Sequence, residues 1–128
     1  EVDENDARRM GGIVINPLIL AGQIHGGVAQ GIGNAFYERL VFDEQGNLLN
    51  ATLADYLVPT AHEVPRIDLD HAVTVSPLNP LGIKGAGEAG VIPSAAVFAA
   101  AIEDAEGLTI TAMPISPSEL FDLRLENS

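Results

Sequence analysis

Hydrophobic and polar positions follow two periods along this chain, and the points where one gives way to the other mark its elements. Residues 12–15 are a short β-prone run. Asn16 and Pro17 close it, because the residue before a proline is pushed out of the helical region. Residues 18–40 read as a helix. Residues 41–42, a polar turn at 43–47 and residues 48–49 read as strand, turn and strand. Residues 51–58 fit neither period, and Pro59 and Pro65 bracket a loop. Residues 70–76 alternate as a strand, with His71, Val73 and Val75 on one face and Ala72 and Thr74 on the other. Residues 94–106 form a helix with Ser94 as N-cap, an apolar stripe of Val97, Ala101 and Ile102, and Gly107 as its stop. Residues 108–113 alternate as a strand. Residues 117–125 form a last helix, capped by Ser116 with Pro117 in the first position. Short mixed strands with two or three helices predict an α+β fold, one domain over residues 1–128.

The first helix breaks its own rules. At about 100° per residue, Ile24, Val28, Ile32, Ala35 and Phe36 share a core face. The opposite face carries Gln23, Gly26, Gly27, Gln30 and Asn34, which are only amides and bare backbone. Glycine inside a helix costs about 1 kcal/mol relative to alanine, and this segment holds Gly26, Gly27, Gly31 and Gly33. A backbone-thin, amide-rich face suits a flat polar ligand, whose phosphates a nearby helix N-terminus would favour. It equally suits close packing against another element.

A second glycine-rich stretch runs from Leu81 to Gly90. Gly82, Gly85, Gly87 and Gly90 surround a single carboxylate, Glu88, just ahead of the 94–106 helix. The stretch reads either as a surface turn with a solvated glutamate or as a loop that aims Glu88 at a target. It lacks the Gly-Lys-Ser/Thr ending of a phosphate-binding P-loop.

Composition narrows the function classes. Hydrophobic residues make up 47% of the chain, enough for a core, and the formal net charge of -12 argues against nucleic acid or an anionic membrane surface as partner. The chain has no cysteine, so it supplies no disulfide, thiolate zinc site or iron–sulfur ligand. No stretch approaches the ~20 apolar residues of a membrane span. The acidic start, residues 1–6, is not signal-like, which makes the cytoplasm the default expectation. His25, His62 and His71 lack metal-ligand spacing, and Asp3, Glu4 and Asp6 lack the glycine and distal glutamate of a calcium loop.

The two glycine-bearing stretches together carry a resemblance. Gly22-Gln23-Ile24-His25-Gly26-Gly27-Val28-Ala29-Gln30-Gly31-Ile32-Gly33, followed by Gly82-Ile83-Lys84-Gly85-Ala86-Gly87-Glu88-Ala89-Gly90, resembles the C-terminal region of the molybdenum-binding large subunit of the molybdenum hydroxylases. That family comprises xanthine dehydrogenase, aldehyde oxidase and aerobic carbon monoxide dehydrogenase. Asn16-Pro17 before the first motif and Asp55-Tyr56 between the two also fit, so the resemblance runs from Asn16 to the C-terminus.

The resemblance implies an oxidoreductase that hydroxylates an aldehyde, an N-heterocycle or a similar small substrate. Glu88 would be the catalytic base beside molybdenum. Gln23, Gly26, Gly27, Gln30, Gly31, Lys84, Gly85 and Gly87 would line a molybdopterin cofactor, expected in its cytosine dinucleotide form. The metal would sit on the cofactor's sulfurs, with no protein ligand from this chain. Expected partners are the remainder of the molybdenum-binding subunit, an iron–sulfur subunit and a flavin (FAD) subunit. A family large subunit is several times longer, so the chain on its own is expected to be inactive. The competing reading is a non-catalytic interaction domain that keeps the family shape and docks on another subunit.

Overall fold

The computed structural model of the protein describes residues 12–127. Helix α1 (Pro17–Phe36) starts on a clear local signal. Asn16 is the extended N-cap, its side-chain oxygen accepts the Ile19 N–H at 3.2 Å, and Pro17 fills the first position, where no N–H is needed. The helix stops short of the expected end at residue 40 because the Tyr37 and Glu38 N–H groups both turn back onto the Gly33 carbonyl, at 2.9 and 2.8 Å. Glu38 then accepts the Tyr56 hydroxyl at 2.6 Å, which pins the 52–56 turn to the end of α1 and raises the Tyr56 pKa.

Helix α2 (Ser94–Glu106) has the expected bounds but not the expected cap. Pro93 is the N-cap and Ser94 is the first helical residue, its hydroxyl donating to the Gly90 carbonyl at 2.7 Å. Gly107 ends the helix at φ 68°, the left-handed conformation that glycine adopts without a Cβ clash. The expected apolar stripe does not form the buried face: Val97 is 59% exposed and Ala101 is exposed. Phe98 faces α1 instead, its ring centroid 5.1 Å from that of Phe36 with the planes tilted by 58°. A tilted aromatic pair adds about 0.5–1.5 kcal/mol beyond its buried area.

Helix α3 (Pro117–Glu126) carries a full capping box. Ser116 accepts the Glu119 N–H, and the Glu119 carboxylate reaches back to the Ser116 N–H and hydroxyl, both at 2.8 Å. Arg39, beyond the end of α1, pairs with the same carboxylate at 2.7 Å and donates to the Pro114 carbonyl at 2.9 Å. Arg39 and the Ser116 donors together hold the Glu119 pKa at about 2, below its ordinary 4.5. A folded-state pKa below the unfolded one stabilises the fold above the unfolded value, and that stability is lost as pH falls toward the folded value. Both side chains are more than a third exposed, so solvent screening leaves about 1 kcal/mol. Glu119→Gln is expected to lower stability by about that amount at neutral pH and to remove the part of the acid sensitivity that lies between about pH 4.5 and 2, as read by unfolding at several pH values.

The segments expected as strands form no ladder among the described residues. Phe42 and Leu48 make one isolated antiparallel bridge around a turn in which Asp43 accepts the Gln45 and Asn47 N–H groups, at 2.9 and 2.8 Å. Elsewhere the donors go one by one to loops and side chains. The Ile13 and Ser76 N–H groups both reach the Gly82 carbonyl, the Ile110 N–H reaches the Glu103 carboxylate, and the Ile115 N–H reaches the Ala35 carbonyl. The buried apolar side chains are Ile32, Ala35, Leu108 and Ile115, where the second half of α1 meets the 108–115 segment. Ile24, Val28 and Phe36, expected beside them, are half-buried. Many large apolar side chains stay outside, among them Leu78 at 92%, Leu18 at 82% and Ile92 at 75% exposed.

Candidate functional site

The two glycine-bearing motifs lie against each other in step. A Cβ on Gly87 would come within 3.8 Å of the Gln23 side-chain oxygen. One helical turn on, a Cβ on Gly27 would meet the Gly90 Cα at 3.0 Å and the Val91 nitrogen at 3.1 Å. A turn later, a Cβ on Gly31 would run into the Ser94 side chain. Gly90 is pressed as closely from its own side: its Cβ would sit 2.6 Å from the Ile24 carbonyl oxygen and 2.9 Å from the Val28 nitrogen. At Gly31 and Gly90 a Cβ could enter only if its neighbours shifted, at Gly27 the facing backbone would have to give by a few tenths of an ångström, and at Gly87 the approach is ordinary van der Waals contact.

Gly27 and Gly31 therefore serve packing: they are buried under the 90–94 segment and are not on the open amide face. Of the two alternatives for Gly27 on the amide-rich face, ligand or close packing, the 90–94 segment supplies the packing partner. Gly26 differs, being exposed with nothing within 4 Å of the place a Cβ would take; Gly22 and Gly85 are equally open. Gln23, Gln30 and Asn34 are exposed on the same side of α1 as Gly26.

The segment between Ala86 and Ser94 is a chain of tight turns. The Ala89 N–H reaches the Ala86 carbonyl at 3.4 Å, and the Val91 and Ile92 N–H groups both reach the Glu88 carbonyl, at 3.1 and 3.2 Å. The loop is fixed upstream by Asn79, whose side chain accepts the Ile83 N–H at 3.0 Å and donates to the Ile83 carbonyl at 2.9 Å. Gly82, at φ 65°, makes the turn between them. Glu88 itself is exposed, and no ion pair joins it to Lys84. The Lys84 ammonium donates instead to the Thr74 hydroxyl at 2.6 Å.

A cavity of about 360 Å³ opens where the segment 12–16, the first turns of α1 and the loop 83–87 come together. It gathers Gln23, Lys84 and Gly87 from the expected site residues, while Gly26, Gly27, Gln30, Gly31, Gly85 and Glu88 are outside its lining. Its wall is apolar, with Ile13, Ile15, Ile19 and Ile83, and His71 closes one side by bonding the Gly12 carbonyl at 3.3 Å. Motif reasoning misses Gly12 and His71 as site residues. The available signal is the bare Gly12, whose absent Cβ lets the backbone lie on Ile83 and Lys84.

The donor set fits a molybdopterin group better than a protein-ligated metal. Among the described residues no cluster of three or more His, Cys, Asp or Glu could hold a metal ion. The exposed polar groups of the two motifs are instead the Gln23 and Gln30 amides on α1 and backbone bared at Gly26, Gly85 and Gly87, with Gly87 lying against Gln23.

Residues 5–65 match the molybdopterin cofactor-binding domain family. The chain is 47% identical over 106 residues to the carbon monoxide dehydrogenase large chain of Hydrogenophaga pseudoflava, covering 80% of this chain and 13% of that one. It is 42% identical over 113 residues to the 6-hydroxypseudooxynicotine dehydrogenase complex subunit gamma of Paenarthrobacter nicotinovorans, covering 86% of this chain and 14% of the other. Its fold matches the crystal structure of quinoline 2-oxidoreductase from Pseudomonas putida 86 with a TM-score of 0.83 and 42% identity, over 90% of this chain and 15% of that chain. The chain thus spans about 14% of the length of such relatives. Two glycine motifs packed in step, an open amide face and these matches together place the chain in the family of molybdopterin-binding subunits that includes those of xanthine dehydrogenase, aldehyde oxidoreductase and carbon monoxide dehydrogenase, at their C-terminal region.

Proposed function

We propose that this chain forms one wall of a molybdopterin site and supplies the base for an oxidative hydroxylation of a small substrate. The observation that carries this reading is the approach of Gln23 to Gly87, which brings the amide face of α1 beside the loop that bears Glu88. Gln23 and Gln30 would hydrogen-bond the cofactor, and the bare backbone at Gly26, Gly85 and Gly87 would let it lie close. When bound, the cofactor supplies the redox centre that takes two electrons from the substrate. Glu88, as carboxylate, accepts the proton of the attacking oxygen. A general base must reach that proton, and an exposed carboxylate on a loop anchored at both ends can be aimed at it. The cytosine dinucleotide form of the cofactor, and iron–sulfur and FAD subunits to carry electrons away, complete the proposal.

The exposed Leu18, Leu78 and Ile92 support a further part of it. Apolar side chains spread over the face of a small chain mark a surface that another polypeptide covers. The remainder of the molybdenum-binding subunit would cover it, and would give residues 12–15, 70–76 and 108–113 the strand partners that an α+β fold needs. A purely docking domain would show the same exposure, so cofactor content separates the two readings. Molybdenum and pterin are expected in the complex purified with its partner chains, and neither on the isolated chain. A complex devoid of both would favour the docking domain. Stoichiometric pterin on the isolated chain would overturn the need for the remaining wall.

A further inference from the structure

Ser94 sits where the two motifs lock together. It is 6% exposed, the one buried residue of α2, and its hydroxyl donates to the Gly90 carbonyl at 2.7 Å. A serine that bonds the carbonyl four residues earlier is common on helices. Here the bond is buried, and the carbonyl belongs to the turn whose other end is Glu88, where the Val91 and Ile92 N–H groups close on the Glu88 carbonyl. The Ser94 side chain also fills the space left by Gly31. It therefore ties three things at once: the start of α2, the face of α1 and the turn behind Glu88.

We propose that Ser94 is a positioning residue for Glu88, its hydroxyl holding the 88–92 turn at a fixed place along α1. The proposal rests on Glu88 being the base. Losing the hydroxyl leaves the Gly90 carbonyl unpaired in a buried place and frees the turn to shift, and a misplacement of about 1 Å at a reacting group can cost as much as 10²-fold in rate.

The test uses the assembled, cofactor-loaded enzyme with Ser94→Ala, Glu88→Gln and the double variant. Ser94→Ala is expected to lower kcat by about 10- to 100-fold with KM and cofactor content unchanged. Amide exchange at residues 88–92 should rise. Ser94→Cys, of similar shape with only a weak S–H donor, should fall between. In the Glu88→Gln background, Ser94→Ala should add no further loss, because both act through one group. If Glu88→Gln is impaired while Ser94→Ala turns over normally, the positioning role is overturned and the base stands. The same fold-loss in both backgrounds, or a loss of molybdenum or pterin on Ser94→Ala, also overturns it. Near-normal turnover by loaded Glu88→Gln removes the base and this proposal with it.

Discussion

Glu88→Gln in the assembled enzyme is expected to lower kcat by about 10²–10⁴-fold, the contribution of a positioned general base. The amide keeps the shape of the side chain and cannot take up the proton. Glu88 is exposed, and the amide-face residues proposed to hold the cofactor are others, so molybdenum and pterin contents should equal those of the unsubstituted enzyme. The loop should also keep its place, since its anchors are Asn79 at one end and Ser94 at the other. Steady-state turnover together with metal and pterin analysis reads both quantities. Unchanged turnover by a fully loaded variant would reduce Glu88 to a solvated loop residue.

Two adjacent glycines should behave in opposite ways. A valine at Gly27 would drive its side chain into the Gly90 and Val91 backbone, which is already 3.0–3.1 Å from the Cβ position. Backbone cannot swing aside as a flexible side chain does, so Gly27→Val is expected to cost at the upper end of the ~1–3 kcal/mol typical of overpacking. Gly26 has open space on its side, and valine there gains a few tenths of a kcal/mol in helix propensity over glycine. Gly26→Val should leave the melting temperature almost unchanged and weaken cofactor binding in the complex by about tenfold or more, as ~1.4 kcal/mol of steric conflict would, which lowers pterin content wherever the site is not saturated. Thermal unfolding and pterin content measured side by side check the pair. Full loading of Gly26→Val where the site is not saturated would move the cofactor away from this face.

How much of this chain is legible in its sequence depends on how local each signal is. Ser116, Pro117 and Glu119 form a cap within four consecutive positions, and Gly107 stops α2 by its own backbone freedom, so the bounds of α2 and α3 can be read directly. Strand formation is not local: residues 70–76 alternate correctly and still form no ladder among the described residues. The division of labour between Gly26 and Gly27 is equally hidden. Both lie on the amide-rich side by helical period, and only the arrival of Gly90, far downstream, makes one of them structural. Serine before an apolar run is usually a cap, yet the Ser94 hydroxyl points back into the turn instead. Gln23, Lys84 and Gly87 reach the cavity from the two motifs, whereas Gly12 and His71 enter it from segments with no motif at all.

The in-step packing of the two motifs also sorts the chain by its tolerance of length change. From Gly27 to Gly31 on one side and from Gly90 to Ser94 on the other, each notch engages the next, like teeth on a rack. One residue added or removed within either set would take Gly27 and Gly31 out of step with Gly90 and Ser94. The loop at residues 60–66, whose side chains bond only near neighbours in sequence, has no such indexing and could lengthen or shorten without moving the teeth. The distance between the two motifs in a chain of this kind is therefore a poor guide to whether the site is intact, and the spacing inside each motif is a strict one.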